Sequence, residues 1–244
     1  MGAFETLMGI HGVGPAKARA LIAEGITSIA ELRAAVAKKP KLLTAAQTLG
    51  LKFYEDGLQR IPRAEMVEHE TRLIRHVLPS QMPGMLVGSY RRGAADSGDI
   101  DLLITYKESY GEAAAIAWLG ELIESMNVAG YIVGTLSSGP KKWMGYVCLE
   151  GKPVRRLDIL LTPPAEFPYA VLYFTGSDKF NIAFRRHCTT IGYTLNEHTL
   201  TPLAGKPVAP PMKSEEDIFA FVGLKYVPPT ERVDGKQILP VAAA

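Results

Sequence analysis

GSYRRGAADSGDIDLLIT, residues 88–105, decides how this chain is read. Asp99 and Asp101 stand two apart on the apolar segment Ile100-Asp101-Leu102-Leu103-Ile104. On a β-strand, residues i and i+2 point to the same face. Both carboxylates therefore leave one side of a strand that is otherwise fit for burial. Two adjacent like charges are costly unless a cation holds them together. Hard oxygen ligands suit Mg²⁺, which takes carboxylates plus substrate phosphates in preference to an all-protein cage. Upstream, Gly88-Ser89 follows the apolar run Met85-Leu86-Val87. That pattern predicts a strand ending in a tight turn whose backbone N–H groups cradle phosphate, with Arg91 and Arg92 adding positive charge. An Asp-x-Asp pair by itself is more often a solvated turn. Gly88-Ser89 ahead of it and Ser97-Gly98 directly before it favour the metal, and a phosphate cradle joined to such a pair equips a chain for nucleotidyl transfer.

Two-metal phosphoryl transfer needs ligands on both sides of an in-line displacement. Asp158, in RRLDILL at residues 155–161, is the candidate third acid. This segment too reads as a buried strand carrying one carboxylate. Arg156, two residues back, shares the face of Asp158 and is placed to orient it. In the mechanism this implies, Asp99 and Asp101 hold both metals. Asp158 binds only the metal at a primer 3′-hydroxyl and accepts its proton. The hydroxyl attacks the α-phosphate of an incoming nucleotide and pyrophosphate leaves, with the ions roughly 3.5–4 Å apart.

GSYRRGAADSGDIDLLIT, RRLDILL and YFTGSDKFN (residues 173–181), in this order, resemble the family X DNA polymerases, the beta-type members most closely. The likeness runs from about Leu7 to Arg232. Other nucleotidyltransferases share the first two motifs but not the third. The resemblance implies roles residue by residue. Gly88, Ser89, Arg92, Ser97 and Gly98 would contact the triphosphate, and Arg60 would reach it from another direction. Asp99, Asp101 and Asp158 would be the metal ligands. Tyr173 and Phe174 would line the sugar pocket, with Gly176 at the tight turn there. Asp178 would pack against the incoming base and Asn181 would touch its minor-groove edge. Arg185 would check the template side of the new pair, Glu197 would support the closed form, and Lys142 and Arg156 would contact DNA. There are two departures. Leu160 stands where the beta-type pattern has an arginine that switches the metal-binding acid between states, so Asp158 is expected to be held ready without it. Ile182 stands where that pattern has a lysine, so stacking on the template base is expected to differ.

The length, 244 residues, suggests two or three subdomains, and the fold class is expected to be α+β. Residues 1–62 read as helical. Gly12-Val13-Gly14-Pro15 is a glycine-bounded turn with Pro15 at a helix start, where its missing N–H costs little. Ser28 is a plausible cap for a helix carrying Ile29, Leu32 and Val36. The pattern looks like a helix-hairpin-helix module whose backbone at Gly12, Gly14 and Ala16 approaches DNA phosphates without reading sequence. In related proteins the carbonyls of such a hairpin can hold a monovalent cation, Na⁺ or K⁺. Here they would belong to Met8, Ile10 and Val13. Residues 63–166 read as a catalytic palm with a nucleotidyltransferase-type mixed sheet and a helix near Tyr110 to Met126. Residues 167–244 read as a mixed α/β segment that binds the nucleotide and the nascent pair. A helix spans about Ser177 to Thr190, short strands lie near Tyr193 to Leu203, and Ser214 caps a last helix. The tail after Asp234 is expected to be loose.

Composition is that of an ordinary globular chain, 47% hydrophobic and 21% charged, with a formal net charge of +2. DNA binding must then rest on local patches such as Lys141-Lys142, Arg91-Arg92 and Arg185-Arg186. Cys148 and Cys188 make neither a disulfide framework nor a zinc pattern. The five histidines, His11, His69, His76, His187 and His198, show no zinc-like spacing and read as surface or structural groups, although His11 lies in the hairpin loop. No apolar run long enough to span a membrane and no secretory signal is visible, which leads to the expectation of an intracellular protein, nuclear or cytoplasmic. The chain starts at the hairpin module, and no lysine matches the nucleophile of the family's lyase domain. The expectation is therefore an enzyme without 5′-deoxyribose phosphate lyase activity, of a streamlined kind, virus-encoded or microbial. The short connection 149–154 between two palm strands points to template dependence. The function expected is a monomeric, template-directed DNA polymerase that fills short gaps in repair. It would use Mg²⁺ (with Mn²⁺ as a substitute), primer-template or gapped DNA and dNTPs. A non-catalytic DNA-end-binding scaffold and a nucleotidyltransferase for another acceptor are the alternatives.

Overall fold

The computed structural model describes residues 2–75 and 79–242, so His76 lies outside the described residues. Helices α1 (Ala3–Met8), α2 (Pro15–Ala23), α3 (Ile29–Lys38), α4 (Ala45–Lys52) and α5 (Tyr54–Gly57) come first. Their starts follow from local chemistry. Pro15 opens α2 directly after Gly14. The Ser28 hydroxyl accepts the Glu31 N–H at 3.1 Å, and Thr44 with Gln47 forms a reciprocal capping box on α4. Leu7, Ile10, Val13, Ala18, Leu21 and Leu32 close into one apolar core. Gly50 on α4 sits against the hairpin, where a Cβ would come within 2.6 Å of the His11 carbonyl oxygen. The absence of that Cβ is what lets the hairpin loop seat on α4. Gly12 turns the loop with φ of +85°, a conformation that side chains disfavour.

A sheet follows. The short strands β1 (Ile61–Pro62) and β3 (Asp96–Ser97) pair, and α6 (Arg63–Glu70) follows β1. Strand β2 (Gly84–Leu86) runs into the single-turn helix α7 (Gly88–Arg91), then come β4 (Ile100–Ile104) and the long α8 (Glu112–Val128). Strands β5 (Ile132–Ser138), β6 (Lys142–Val147) and β7 (Arg155–Leu161) complete a five-stranded sheet of order β2-β4-β7-β6-β5. Only β4 and β7 are parallel; the other pairs are antiparallel. Helix α8 lays Ala115, Leu119, Leu122 and Met126 on the sheet. On β7, Leu157, Ile159 and Leu161 are buried and alternate with Arg156, Asp158 and Leu160, which face a cleft. A buried ion pair braces the sheet. Arg155 donates to both Glu65 carboxylate oxygens at 2.8 Å and to the Gln59 carbonyl at 2.8 Å. Beside it the fully buried His69 is 2.6 Å from the Tyr131 hydroxyl, and desolvation pushes its pKa down to about 4. Neutral His69 is thus a structural group.

The last part carries α9 (Phe167–Thr175), α10 (Asp178–Thr190), β8 (Tyr193–Leu195), β9 (Leu200–Pro202) and α11 (Glu215–Phe221). Ser177 caps α10, and Ser214 with Asp217 caps α11 reciprocally. Phe180, Phe184 and Phe219 pack in tilted and edge-on contacts in its core. A smaller cluster of Val87, Leu103, Ala170 and Val171 joins α9 to β4. The class is α+β with a mixed sheet, as the sequence leads one to expect. The expected loose tail is not found over residues 235–242. Asp234 caps a short 3₁₀ turn at Gly235–Gln237, Leu224 bridges Pro240, and Val241 N–H donates to the Gly223 carbonyl at 2.8 Å. Backbone pairing with a segment earlier in the chain holds it, and no local pattern announces such pairing.

Candidate active site

Parallel pairing of β4 and β7 sets Asp101 directly opposite Asp158, and Asp99 lies one residue before β4. The turn after β2 closes on the same spot. Val87 N–H donates to the Asp101 carbonyl at 2.9 Å. Gly88 has φ of +65°, and a Cβ there would lie 3.2 Å from Asp101 Oδ2. The glycine is therefore needed twice, for its conformation and for the approach of the carboxylate.

The three acids feel one another. Burial first, then the charges of Asp99 and Asp158, push the Asp101 carboxyl up to about 7. Asp99 sits at the open rim, yet the protein atoms crowding it and then the Asp158 charge push its carboxyl up as well. Like charges crowded in this way are relieved by a cation or a proton. Among the described residues no three acids, histidines or cysteines form a ready-made metal cage. Asp158 is drawn to Arg156, which donates to Oδ1 at 2.5 Å and to the Gly145 carbonyl at 2.7 Å. Arg156 also lies over the Tyr146 ring, 5.6 Å from its centre. An open set of carboxylates suits an ion that takes the rest of its ligands from substrate phosphates and water.

The raised Asp101 carboxyl has a stability consequence. Unfolded, it titrates at about 3.9; folded, at about 7. Below the unfolded value both states hold the proton and nothing is lost. As pH rises toward 7 the unfolded chain ionises freely while the folded one does so at a cost, so stability falls and stays lower above 7. Metal-free Asp101→Asn should therefore melt higher than the parent at pH 8, with the gain shrinking toward pH 5. Calorimetry in chelator checks this, and an equal gain at both pH values would contradict it.

The triphosphate candidates surround the same turn. The Ser89 hydroxyl donates to the Ser97 hydroxyl at 2.9 Å. Arg60 pairs with Asp96 at 2.8 Å and passes over Gly98, where a Cβ would be 3.0 Å from its Nη1. Arg92 donates to the Thr175 carbonyl at 2.8 Å and lies against Gly176, whose φ is +69°. Asn181 donates to the Tyr173 carbonyl at 2.7 Å, so α10 is tied to the end of α9. Asp178 and Arg185 are exposed on α10. A cleft of about 260 Å³ brings Asp101, Asp158, Lys142, Leu160, Phe174 and Glu197 together. Ile182 is 61% exposed on α10, which leaves it free to meet a ligand.

Two expectations about surface charge need correction. Arg91 is not a free surface cation, because it donates to the Thr175 hydroxyl at 2.8 Å and to Glu215 at 2.6 Å. Lys141 pairs with Glu112 at the start of α8. Each cation is drawn to an acid or hydroxyl far off in sequence. Sequence reasoning also missed Arg232, which is 1% exposed and pairs with the other oxygen of Glu215. Glu215 was legible only as part of a helix cap.

The hairpin faces the same strand. Met8, Ile10, His11, Gly12 and Val13 line a cleft of about 400 Å³ whose other wall includes Tyr146 and Arg156. The Gly12 carbonyl accepts from Gln47 Nε2 at 2.9 Å, and the Ile10 carbonyl accepts the Val13 N–H at 3.0 Å. Gly14 is half-buried and Ala16 is exposed at the start of α2, on the hairpin's outer side.

Comparison with known proteins divides the chain in the same order. The family model of the DNA polymerase beta palm matches residues 60–164, and that of the DNA polymerase beta thumb matches residues 170–233. The fingers domain of DNA polymerase lambda matches residues 5–57. The chain is similar to DNA polymerase lambda of Rattus norvegicus, at 34% identity over 247 residues, covering 93% of this chain and 42% of the relative. It is similar to DNA polymerase lambda of Arabidopsis thaliana at 30% identity over 243 residues, covering 91% of this chain and 45% of the relative. It thus spans under half the length of these curated relatives. Among the described residues no helix is long and apolar enough to cross a membrane.

Proposed function

The chain belongs to the family X DNA polymerases, and we propose that it adds deoxynucleoside monophosphates to a primer 3′-hydroxyl under the direction of a template, in short gaps of DNA under repair. The observation that carries this reading is the juxtaposition of Asp101 and Asp158 on adjacent parallel strands, with the Gly88-Ser89 turn closed against them. Divalent ions, Mg²⁺ or in its place Mn²⁺, fit the crowded carboxylates. Asp99 and Asp101 would hold two of them and Asp158 the one nearer the primer end. Bound there, the ions polarise the attacking and leaving oxygens. Asp158, oriented by Arg156, accepts the proton of the 3′-hydroxyl. That oxygen bonds to the α-phosphorus, and the bond to pyrophosphate breaks.

Gly88, Ser89, Arg92, Ser97, Gly98 and Arg60 hold the triphosphate. Tyr173, Phe174 and Gly176 crowd the sugar, Asp178 and Asn181 meet the base, and Arg185 meets the template side. Glu197 steadies the closed form. Residues 1–62 grip duplex backbone, residues 63–166 do the chemistry and residues 167–244 select the nucleotide. The carbonyls of Met8, Ile10 and Val13 offer a seat for Na⁺ or K⁺ beside a primer phosphate. The reading includes a monomeric enzyme. Offering the same triphosphates to a gapped DNA primer and to a single-stranded RNA end tests the acceptor. DNA extension alone is expected; extension of RNA alone would overturn the reading.

Lys142 is exposed at the start of β6, Gly12 is exposed in the hairpin turn and Gly14 directly precedes α2. Phosphate contacts position a duplex but carry no base code. Lys142→Ala should weaken binding equally for all sequences and lower the salt slope by about one unit. Titrations on unrelated duplexes at several salt concentrations check this, and a strongly sequence-dependent loss would contradict it.

A further inference from the structure

The joint between the β8–β9 hairpin and the palm has an unusual charge arrangement. Glu197 and His198, at the hairpin tip, line two clefts that flank Leu160 and Phe174. Asp101, Asp158 and Lys142 face one cleft; Lys141 and Glu166 face the other. The tip is fixed by its own hydrogen bonds, since Asn196 Oδ1 accepts the N–H groups of His198 at 2.8 Å and Thr199 at 2.9 Å. So held, His198 reaches across to the residue before α9, with Nδ1 3.4 Å from Glu166 Oε2 and Nε2 3.7 Å from Glu197 Oε1. Strand β7 offers Leu160 to this joint and so gives the carboxylates no cation. Lys141 is committed to Glu112. Among the described residues neither Glu166 nor Glu197 has an ion pair with a lysine or arginine.

We propose that His198 is a positioning residue that fastens the β8–β9 hairpin to the palm by standing between Glu166 and Glu197. This deepens the polymerase reading and rests on it. Glu166 precedes the helix that ends in Tyr173 and Phe174, so the fastening ties the hairpin to the element that shapes the sugar pocket. The imidazolium serves both carboxylates, whereas a neutral ring donates one N–H only.

The test is single-nucleotide incorporation into gapped DNA at saturating Mg²⁺, with dNTP titrated at pH 6. His198→Gln should weaken apparent dNTP binding about threefold to fivefold, the scale of two partly exposed ion pairs. His198→Lys should keep the affinity. Adding Glu166→Gln to His198→Gln should cost less than the sum of the single changes. Equal affinities at pH 6, or a fully additive double variant, would overturn the proposal. Hydrogen exchange at residues 193–202 of the free protein, compared between wild type and His198→Gln at pH 6, needs no catalysis. Faster exchange in the variant supports the fastening and unchanged exchange overturns it, whereas a wild type that incorporates nothing would count against the polymerase reading instead.

Discussion

Asp158→Ala and Asp101→Asn are each expected to lower the single-turnover rate of primer extension about a thousandfold, the scale on which removal of one preorganised stabiliser of transition-state charge acts. DNA affinity should stay nearly unchanged. The two carboxylates sit opposite each other on β4 and β7. Neither contributes positive charge, so neither holds the duplex. In the proposed roles Asp158 loses both a metal ligand and the proton acceptor, whereas Asp101→Asn loses charge at a site shared by both ions. Asp101→Asn should for that reason also weaken Mg²⁺-dependent nucleotide binding, which Asp158→Ala leaves mostly in place. Rapid-quench incorporation with separately measured DNA binding distinguishes these effects. Retention of more than about a tenth of the parent rate would contradict the three-acid account, because a tenfold loss is only ~1.4 kcal/mol.

Glu215→Ala should destabilise the fold by about 3–5 kcal/mol, the cost of breaking a buried ion pair from one side. Glu215 is 5% exposed and divides its two oxygens between Arg91 and Arg232. Arg232 is walled in by Phe180, Phe219 and Tyr226, with its guanidinium within 5.8 Å of each ring centre, and its Nε donates to the Val227 carbonyl at 2.9 Å. Without Glu215 that charge has no counter-ion in an apolar surround. Arg91 would lose its charged partner and keep only the Thr175 hydroxyl, and Arg91 belongs to the turn that carries Ser89 and Arg92. The change should therefore raise the dNTP concentration needed for extension even below the unfolding temperature. Urea unfolding beside the exposed neighbour Glu216→Ala, expected within about 0.5 kcal/mol of the parent, gives the comparison. Equal small losses would show that the triad does not brace this fold.

What could be read from sequence was local. The i, i+2 spacing of Asp99 and Asp101, the glycine turn before them and the lone acid of 155–161 each have a short-range signature, and β4, β7 and α7 carry them. The caps Ser28 and Ser214 are visible for the same reason. The pairings that join distant segments left no such mark. Arg91 and Glu215 are 124 residues apart, and Arg155 and Glu65 are 90 apart. Arginines became interior braces through acids far off in the chain, and a short, mostly apolar tail was pinned by backbone pairing. The substitution at Leu160 was legible. The histidine one residue beyond Glu197, standing beside two carboxylates, shows only once the hairpin is folded against Glu166.

The central claim is that these carboxylates build a template-directed DNA polymerase. The measurement that tests it most directly is incorporation of each of the four dNTPs opposite each of the four template bases, on gapped DNA, with Mg²⁺ and with chelator. The account predicts one-nucleotide extension dominated by the complementary dNTP, all of it abolished by chelator and all of it lost in Asp158→Ala. Extension indifferent to the template base would contradict template direction, and no extension with Mg²⁺ present would contradict the polymerase assignment itself.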